Sequence, residues 1–270
     1  MTAENLVETL ALEPIEVNLF RGRAPSNQGP RIFGGVVIGQ ALMAAYKTVG
    51  SRLCHSLHCY FIRPGDPSVP ILYDVDRSRD GRSFTTRRVT AIQHGAQIFN
   101  LAASFQDVEE GIEHQDPMPD VPGPDDLPTD PRAADWHRPI EIKAVEADWG
   151  QAQVAAPTQN IWMRATAPLG DDPALNQAVI AYASDMSFLS TSMRPHGWHW
   201  QTPGLQSASL DHAVWFHRPS SFNDWHLYAQ RSPSASGARG MNFGSIFNQD
   251  GRLVASTAQE GLLRLRPKGS

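Results

Sequence analysis

Cysteine is rare in this sequence, since only Cys54 and Cys59 occur among 270 residues. Their spacing fits no common zinc-binding pattern. If residues 54–59 form one strand, the odd separation points the two thiols to opposite faces of the sheet, so that no disulfide joins them. The sequence therefore predicts two free thiols and, by default, a cytoplasmic protein.

Neither a large excess of charge nor a long apolar run is present. The net charge of -5 offers no basic surface for nucleic acid and no polybasic segment for an anionic membrane. The longest strongly apolar run, residues 36–46, is shorter than the roughly 20 residues that span a bilayer. Residues 1–13 carry three glutamates and lack the basic start of a secretory signal. We expect neither a nucleic-acid partner nor membrane association.

Motifs for cofactors and metals are also missing. Gly34, Gly35 and Gly39 do not form the dinucleotide-binding fingerprint, and no phosphate-binding P-loop or His-Glu-x-x-His zinc helix occurs. No Gly-x-Ser-x-Gly elbow supports a serine hydrolase. The sequence predicts neither a cofactor nor a metal ion.

An internal repeat is present instead. Tyr60–Pro64 reads Tyr-Phe-Ile-Arg-Pro, and Trp215–Pro219 reads Trp-Phe-His-Arg-Pro, 155 residues later. A turn at His94-Gly95 has its counterpart 156 residues later at Asp250-Gly251, and each turn lies between two strand-like segments. The nearly constant offset predicts two copies of one structural unit.

Each copy begins with an apolar segment of helical length, residues 34–49 and 174–189, followed by strands that turn at Gly, Asp-Gly or Pro. This order predicts an α+β fold in which each long helix is wrapped by an antiparallel sheet. Such a sheet around a helix is the hot-dog arrangement, and two tandem repeats make a double hot-dog. The predicted units are residues 1–106 and 158–270, joined by a linker, 107–157, that is rich in Pro, Asp and Gly over residues 116–132.

Several motifs, in the same order over nearly the whole chain outside the linker, resemble those of the acyl-CoA thioesterase II family of bacteria and peroxisomes. The matching segments are 31–41, 55–66, 79–84, 182–185, 210–219 and 255–261. The resemblance implies an enzyme that hydrolyses fatty acyl-CoA to a free fatty acid and coenzyme A. It also implies a homodimer or homotetramer.

The resemblance further implies three catalytic residues. The family uses an Asp, a Thr or Ser, and a Gln that together hold and activate a water molecule. By motif position these are Asp185, Ser209 and Gln259. The second position is Ser here rather than Thr, and both side chains offer one hydroxyl.

Asp185 also stands out from its own surroundings. It shares a predicted helix face with Ala178, Ala181 and Phe188. A carboxylate on such a face is costly unless it has partners, because burial raises its pKa and hydrogen-bond donors lower it again. A general base has this environment. The alternative is a structural carboxylate that caps a backbone or pairs with an arginine. Ser209 and Gln259 carry no comparable signal by themselves.

The repeat predicts a single active site per chain. Its offsets place Cys54 and Ala103 in the first copy where the second copy has Ser209 and Gln259. The first copy therefore lacks two of the three polar groups, and we expect it to support the site of the second.

Two other functions fit the same fold. A hot-dog enoyl-CoA hydratase needs an Asp–His pair in one pocket, and the only adjacent pair, Asp211-His212, should point to opposite sides of a strand. A non-catalytic acyl-CoA-binding protein is the second alternative, because fold does not fix function.

Overall fold

The computed structural model describes residues 4–25, 30–128, 139–146 and 153–266. Its helices are α1 (Glu4–Leu10), α2 (Gly34–Tyr46), α3 (Pro173–Ser184) and α4 (Ser190–Met193). The strands of the first copy are β1 (Glu13–Glu16), β2 (Leu19–Gly22), β3 (Leu53–Phe61), β4 (Ile71–Asp80), β5 (Phe84–Gln93) and β6 (Ala96–Gln106). The later strands are β7 (Ile140–Ala144), β8 (Thr158–Ala165), β9 (Leu205–Ser209), β10 (Asp211–Phe216), β11 (His226–Ser236), β12 (Arg239–Asn248) and β13 (Leu253–Leu265).

The described strands form one antiparallel sheet whose order reveals the repeat. The order is β1-β2-β4-β5-β6-β3-β10-β13-β12-β11-β8-β7, and β9 pairs with β13. The series β3-β6-β5-β4 recurs as β10-β13-β12-β11, and the two series join where β3 pairs with β10. Each series follows a buried helix, α2 or α3. This arrangement confirms the predicted α+β double hot-dog fold.

Both predicted hairpin turns are found. His94 and Gly95 have φ values of 50° and 70°, as in the type I′ turns that match the twist of paired strands. Gly251 has a φ of 77°, a conformation that glycine adopts without steric cost. The flanking strands β5, β6, β12 and β13 contain the strand segments expected from the sequence.

The two central helices pack against each other through glycines of α2. A Cβ atom on Gly35 would lie 2.4 Å from the carbonyl oxygen of Tyr182, and one on Gly39 would lie 3.2 Å from that of Ala178. Larger side chains would therefore force α2 and α3 apart. The close approach merges the apolar residues of both copies into one core.

Both helices are shorter than the sequence predicts. α2 ends at Tyr46 rather than Val49, and α3 ends at Ser184 rather than Leu189. Ser187 has a φ of 61°, which is incompatible with a continuing right-handed helix. The placement of Asp185 on the face of a continuing helix is therefore wrong, because Asp185 is the C-cap residue that directly follows α3.

The prediction that Cys54 and Cys59 face opposite sides of the sheet is also wrong. Both thiols are buried and free. The register of β3 against β6 shifts between Cys54 and Ser56, and such an irregularity moves the following side chains to the other face. The expected absence of a disulfide between them agrees with the structure.

The described part of the linker packs on the second copy. The Gln115 amide donates to the carbonyl oxygen of Gly251 (2.8 Å), and the Trp162 indole donates to that of Pro122 (2.9 Å). Strand β7 adds to the sheet edge beside β8. Among the described residues, no helix combines the length and the apolar character needed to cross a bilayer.

Candidate active site

Asp185, Ser209 and Gln259 meet at one point in the structure. The Nε2 atom of Gln259 donates to Oδ1 of Asp185 at 2.6 Å, and the Ser209 hydroxyl donates to the same oxygen at 3.2 Å. Asp185 follows α3, Gln259 lies on the inner face of β13, and Ser209 ends β9. Because β9 pairs with β13, with Ser209 opposite Gly261, the sheet brings the hydroxyl and the carboxamide to the same end of α3.

The first copy contributes the start of helix α2 to this site. The N-cap residue, Phe33, has no side-chain acceptor for the free N–H groups of the first turn. Asp185 accepts a hydrogen bond from the backbone N–H of Gly35. A Cβ on Gly34 would lie 2.6 Å from Oδ2 of Asp185, so glycine is required for this approach. The site therefore lies between the two copies.

Burial and hydrogen bonding act in opposite directions on Asp185. Removal from water is the larger effect and raises the pKa of its carboxyl to about 6, against hydrogen bonds from Gln259, Ser209 and Gly35 that lower it. The partial positive charge at the start of α2 also favours the ionised form. A carboxyl with a pKa near 6 is ionised at neutral pH and is still basic enough to take a proton from water.

His212 is a member of this cluster that the sequence reasoning did not assign to it. Its Nδ1 atom lies 3.0 Å from Nε2 of Gln259, and its Nε2 atom lies 2.9 Å from the Ser184 hydroxyl. Asp211 accepts instead from the backbone N–H of Glu260 (2.7 Å). His212 lies on the buried face of β10, and β10 pairs with β13, which carries Gln259. Knowledge of this pairing was needed to place His212 in the site.

A cavity of about 290 Å³ opens beside the cluster. Ser209 and Gly34 are among the residues that line it, and its walls are mainly apolar. The apolar lining residues are Ile32, Val37, Phe61, Ile98, Phe99 and Leu210. Arg31 and Arg63 also line it. An acyl chain or another flexible apolar group matches this lining.

A wider groove adjoins the cavity and shares Arg31 with it. It has a volume of about 870 Å³ and is also lined by Trp200, Gln206 and Arg266. Trp200 is 56% exposed. Two guanidinium groups and an exposed indole suit a ligand that carries both phosphates and an aromatic base.

No cluster of three or more His, Cys, Asp or Glu side chains suited to a metal ion occurs in the described part of the chain.

At the first-copy position that corresponds to Ser209, the backbone N–H of Cys54 donates to the Tyr46 hydroxyl (2.8 Å) and its carbonyl accepts from Gln177 (2.9 Å). That a chain has one active site stays a prediction.

Comparison with known proteins identifies the family. The family model described as "Acyl-CoA thioesterase" matches residues 132–262, and that of the "Acyl-CoA thioesterase N-terminal domain" matches residues 23–106. Acyl-coenzyme A thioesterase 8 of Homo sapiens is 42% identical, over 97% of this chain and 89% of that protein. Acyl-CoA thioesterase 2 of Haemophilus influenzae is 38% identical, over 96% of this chain and 97% of that protein.

A solved structure agrees in fold over nearly the same length. The acyl-CoA thioesterase II TesB2 from Mycobacterium marinum is 45% identical, with a TM-score of 0.84 over 97% of this chain and 99% of that one. The two chains therefore share one fold over nearly their full lengths. The chain belongs to the acyl-CoA thioesterase family.

Proposed function

We propose that this protein hydrolyses fatty acyl-CoA thioesters, with Asp185 as the general base and with Ser209 and Gln259 as the groups that orient the attacking water. The observation that carries the proposal is the convergence of one carboxylate, one hydroxyl and one carboxamide beside an apolar cavity. The family of the chain supports the substrate class.

The chemistry follows from these groups. Asp185 takes a proton from water while the water oxygen attacks the thioester carbonyl carbon. The start of α2 lies against Asp185, and its backbone N–H groups, apart from that of Gly35, which bonds to Asp185, can donate to the negative charge that develops on the carbonyl oxygen. The tetrahedral intermediate then breaks its carbon–sulfur bond, and coenzyme A leaves as a thiolate that takes up a proton.

The hydratase alternative needs a histidine that is free to donate a proton. Both ring nitrogens of His212 are already hydrogen-bonded inside the protein, and burial lowers the pKa of His212 to about 3. A neutral, fully bonded imidazole is a poor proton donor to a substrate. This geometry favours hydrolysis over hydration.

A thiol-release assay with palmitoyl-CoA tests the proposal. Hydrolysis releases one thiol per substrate molecule, whereas a hydratase adds water to an enoyl-CoA without releasing thiol and a binding protein shows saturation without turnover. Absence of thiol release over a range of acyl chain lengths would reject the proposed activity.

The pH dependence provides a second test. Because Asp185 acts in its ionised form and has a pKa of about 6, we expect kcat/KM to be level above that pH. Below it, kcat/KM should fall about tenfold for each pH unit. The pKa of His212 is lowered to about 3, so the ionisation of this histidine cannot cause the fall in kcat/KM, the acid limb of the profile, below pH 6. A profile that stays level down to pH 4.5 in folded enzyme would contradict the assignment of Asp185 as base.

We also propose that the nucleotide part of coenzyme A lies in the wide groove, with its adenine on Trp200 and its phosphates near Arg31 and Arg266. Support comes from the continuity of groove and cavity through Arg31. A thioester at the catalytic group then has its acyl chain in the apolar cavity and its nucleotide outside.

Replacing Trp200 or Arg266 with alanine should raise KM for palmitoyl-CoA about tenfold, since stacking and ion pairing with the nucleotide are lost. Neither change should alter kcat, nor KM for a palmitoyl thioester of N-acetylcysteamine, which lacks the nucleotide. Phe243→Ala is the matched control, because Phe243 is an exposed aromatic residue of β12 that does not line the groove. Equal effects on both substrates would contradict the groove assignment.

Three further features are proposals. The unit boundaries 1–106, 107–157 and 158–270 are supported by the strand repeat, with β7 as an addition to the edge of the second copy. A homodimer or homotetramer is supported by exposed Tyr60 and Trp215 on neighbouring strands, and light scattering tests it. A cytoplasmic location is supported by the two free thiols, and cell fractionation tests it.

A further inference from the structure

The direction of each hydrogen bond around His212 can be deduced. The Ser184 hydroxyl donates to the carbonyl oxygen of Ala181 at 2.9 Å, so its oxygen accepts from Nε2–H of His212 at 2.9 Å. A neutral imidazole carries one N–H. The Nδ1 atom of His212 is therefore a bare acceptor, and it receives a hydrogen from the Gln259 amide at 3.0 Å.

This acceptor fixes the orientation of the Gln259 amide. The two hydrogens on Nε2 of Gln259 go to Oδ1 of Asp185 and to Nδ1 of His212. Turning the amide by 180° would place Oε1 against two acceptors with no hydrogen between them. Only one orientation of the amide is therefore compatible with its neighbours.

The carbonyl oxygen Oε1 lies at the opposite end of the Gln259 amide. Gln259 is 1% exposed, and its Oε1 atom has no hydrogen-bond partner among the described residues. A buried carbonyl oxygen without a partner is costly. Next to a general base in a hydrolytic site, a water molecule is the partner that such an oxygen fits.

We propose that His212 is a positioning residue that acts through Gln259, holding the amide so that Oε1 accepts a hydrogen bond from the attacking water. The inference rests on the proposed function. His212 touches neither substrate nor water in this role. It determines which end of the Gln259 amide faces the nucleophile and which end faces Asp185.

Two substitutions of similar shape separate this role from simple packing. The Oδ1 atom of asparagine occupies the position of Nδ1 in histidine and can accept the same hydrogen, whereas leucine fills the space without an acceptor. We expect His212→Leu to lower kcat about tenfold to hundredfold with KM unchanged, because the water loses its alignment. His212→Asn should recover most of this loss. Equal losses in the two folded variants would overturn the inference.

A double-variant test shows whether His212 acts through Gln259. In a Gln259→Met background, His212→Leu should cause no further loss, because the group that it positions is already absent. A full additional loss would mean that His212 acts by another route. Thermal unfolding of each variant reports whether it is folded.

The protonation of the ring can be measured without any substitution at His212. Nitrogen NMR of the labelled enzyme should show a bare Nδ1 and a protonated Nε2 for this histidine. The opposite tautomer would overturn the proposed amide orientation even if His212→Leu failed to fold.

Measuring Asp185→Asn in parallel distinguishes failure of the proposed catalytic base from failure of the proposed role of His212. Full turnover in that variant would reject Asp185 as the general base of the proposed function, and absence of thiol release in the unmodified enzyme would reject the function itself. Loss of turnover in Asp185→Asn together with an unaffected His212→Leu variant would reject only the role of His212.

Discussion

Asp185→Asn should lower kcat for palmitoyl-CoA by about 10²- to 10⁴-fold, because the amide cannot take a proton from water. The substitution preserves size, and its oxygen can still accept the hydrogen bonds from Gln259 and Ser209 that Asp185 now receives. KM should change little, since Asp185 acts on water rather than on the acyl chain. Initial rates of thiol release with saturating substrate give kcat directly.

Asp172, at the opposite end of helix α3 from Asp185, provides a matched control. Asp172 is the N-cap of α3, and its side chain accepts from the backbone N–H of Ala174 at 2.9 Å. Asparagine is an equally good N-cap. Asp172→Asn should therefore leave both stability and turnover unchanged. Comparable turnover in folded Asp185→Asn and Asp172→Asn enzymes would show that Asp185 is not the base.

Gln259→Met should lower kcat by about 10²- to 10³-fold, as expected for loss of a polar group that acts on the reacting atoms. Methionine has a similar length but neither orients water nor donates to Asp185. The same change should move the acid limb of kcat/KM to higher pH, since the hydrogen bond from Gln259 lowers the pKa of Asp185. A full pH profile of the variant measures both effects.

Gln230→Met is the control for this substitution. Gln230 is also a buried glutamine on the inner face of the second-copy sheet, in β11, and its carboxamide bonds to Thr191 rather than to Asp185. Turnover and the position of the acid limb should stay unchanged in Gln230→Met. If the acid limb moved equally in both variants, or in neither, Gln259 would not be the group that lowers the pKa of Asp185.

Local sequence patterns were sufficient for the architecture. The Arg-Pro motifs and the glycine turns recur at almost the same offset, and the glycine turns close hairpins in the structure. Such signals depend on neighbouring residues, because turn geometry and strand alternation are set within a few positions of the chain. The helix ends were less predictable, since α3 ends at Ser184 and the chain cannot resume it at Ser187, whose positive φ is not signalled by serine.

The candidate site shows the opposite balance. Asp185 was marked by its apolar neighbours, whereas Ser209 and Gln259 could be named only through resemblance to a family. The partnership of Gln259 with His212 was not foreseen, because hydrogen bonding depends on strand pairing between β10 and β13 and not on sequence distance.

The sequence by itself determined two copies of a helix followed by strands, because periodicity and turn residues act locally. The tertiary structure alone decided that the start of the first helix, through Gly34 and Gly35, meets the end of the second at Asp185. That contact joins residues about 150 positions apart. Only close packing of the two copies raises the pKa of the carboxyl, because removal from water is a property of the whole core.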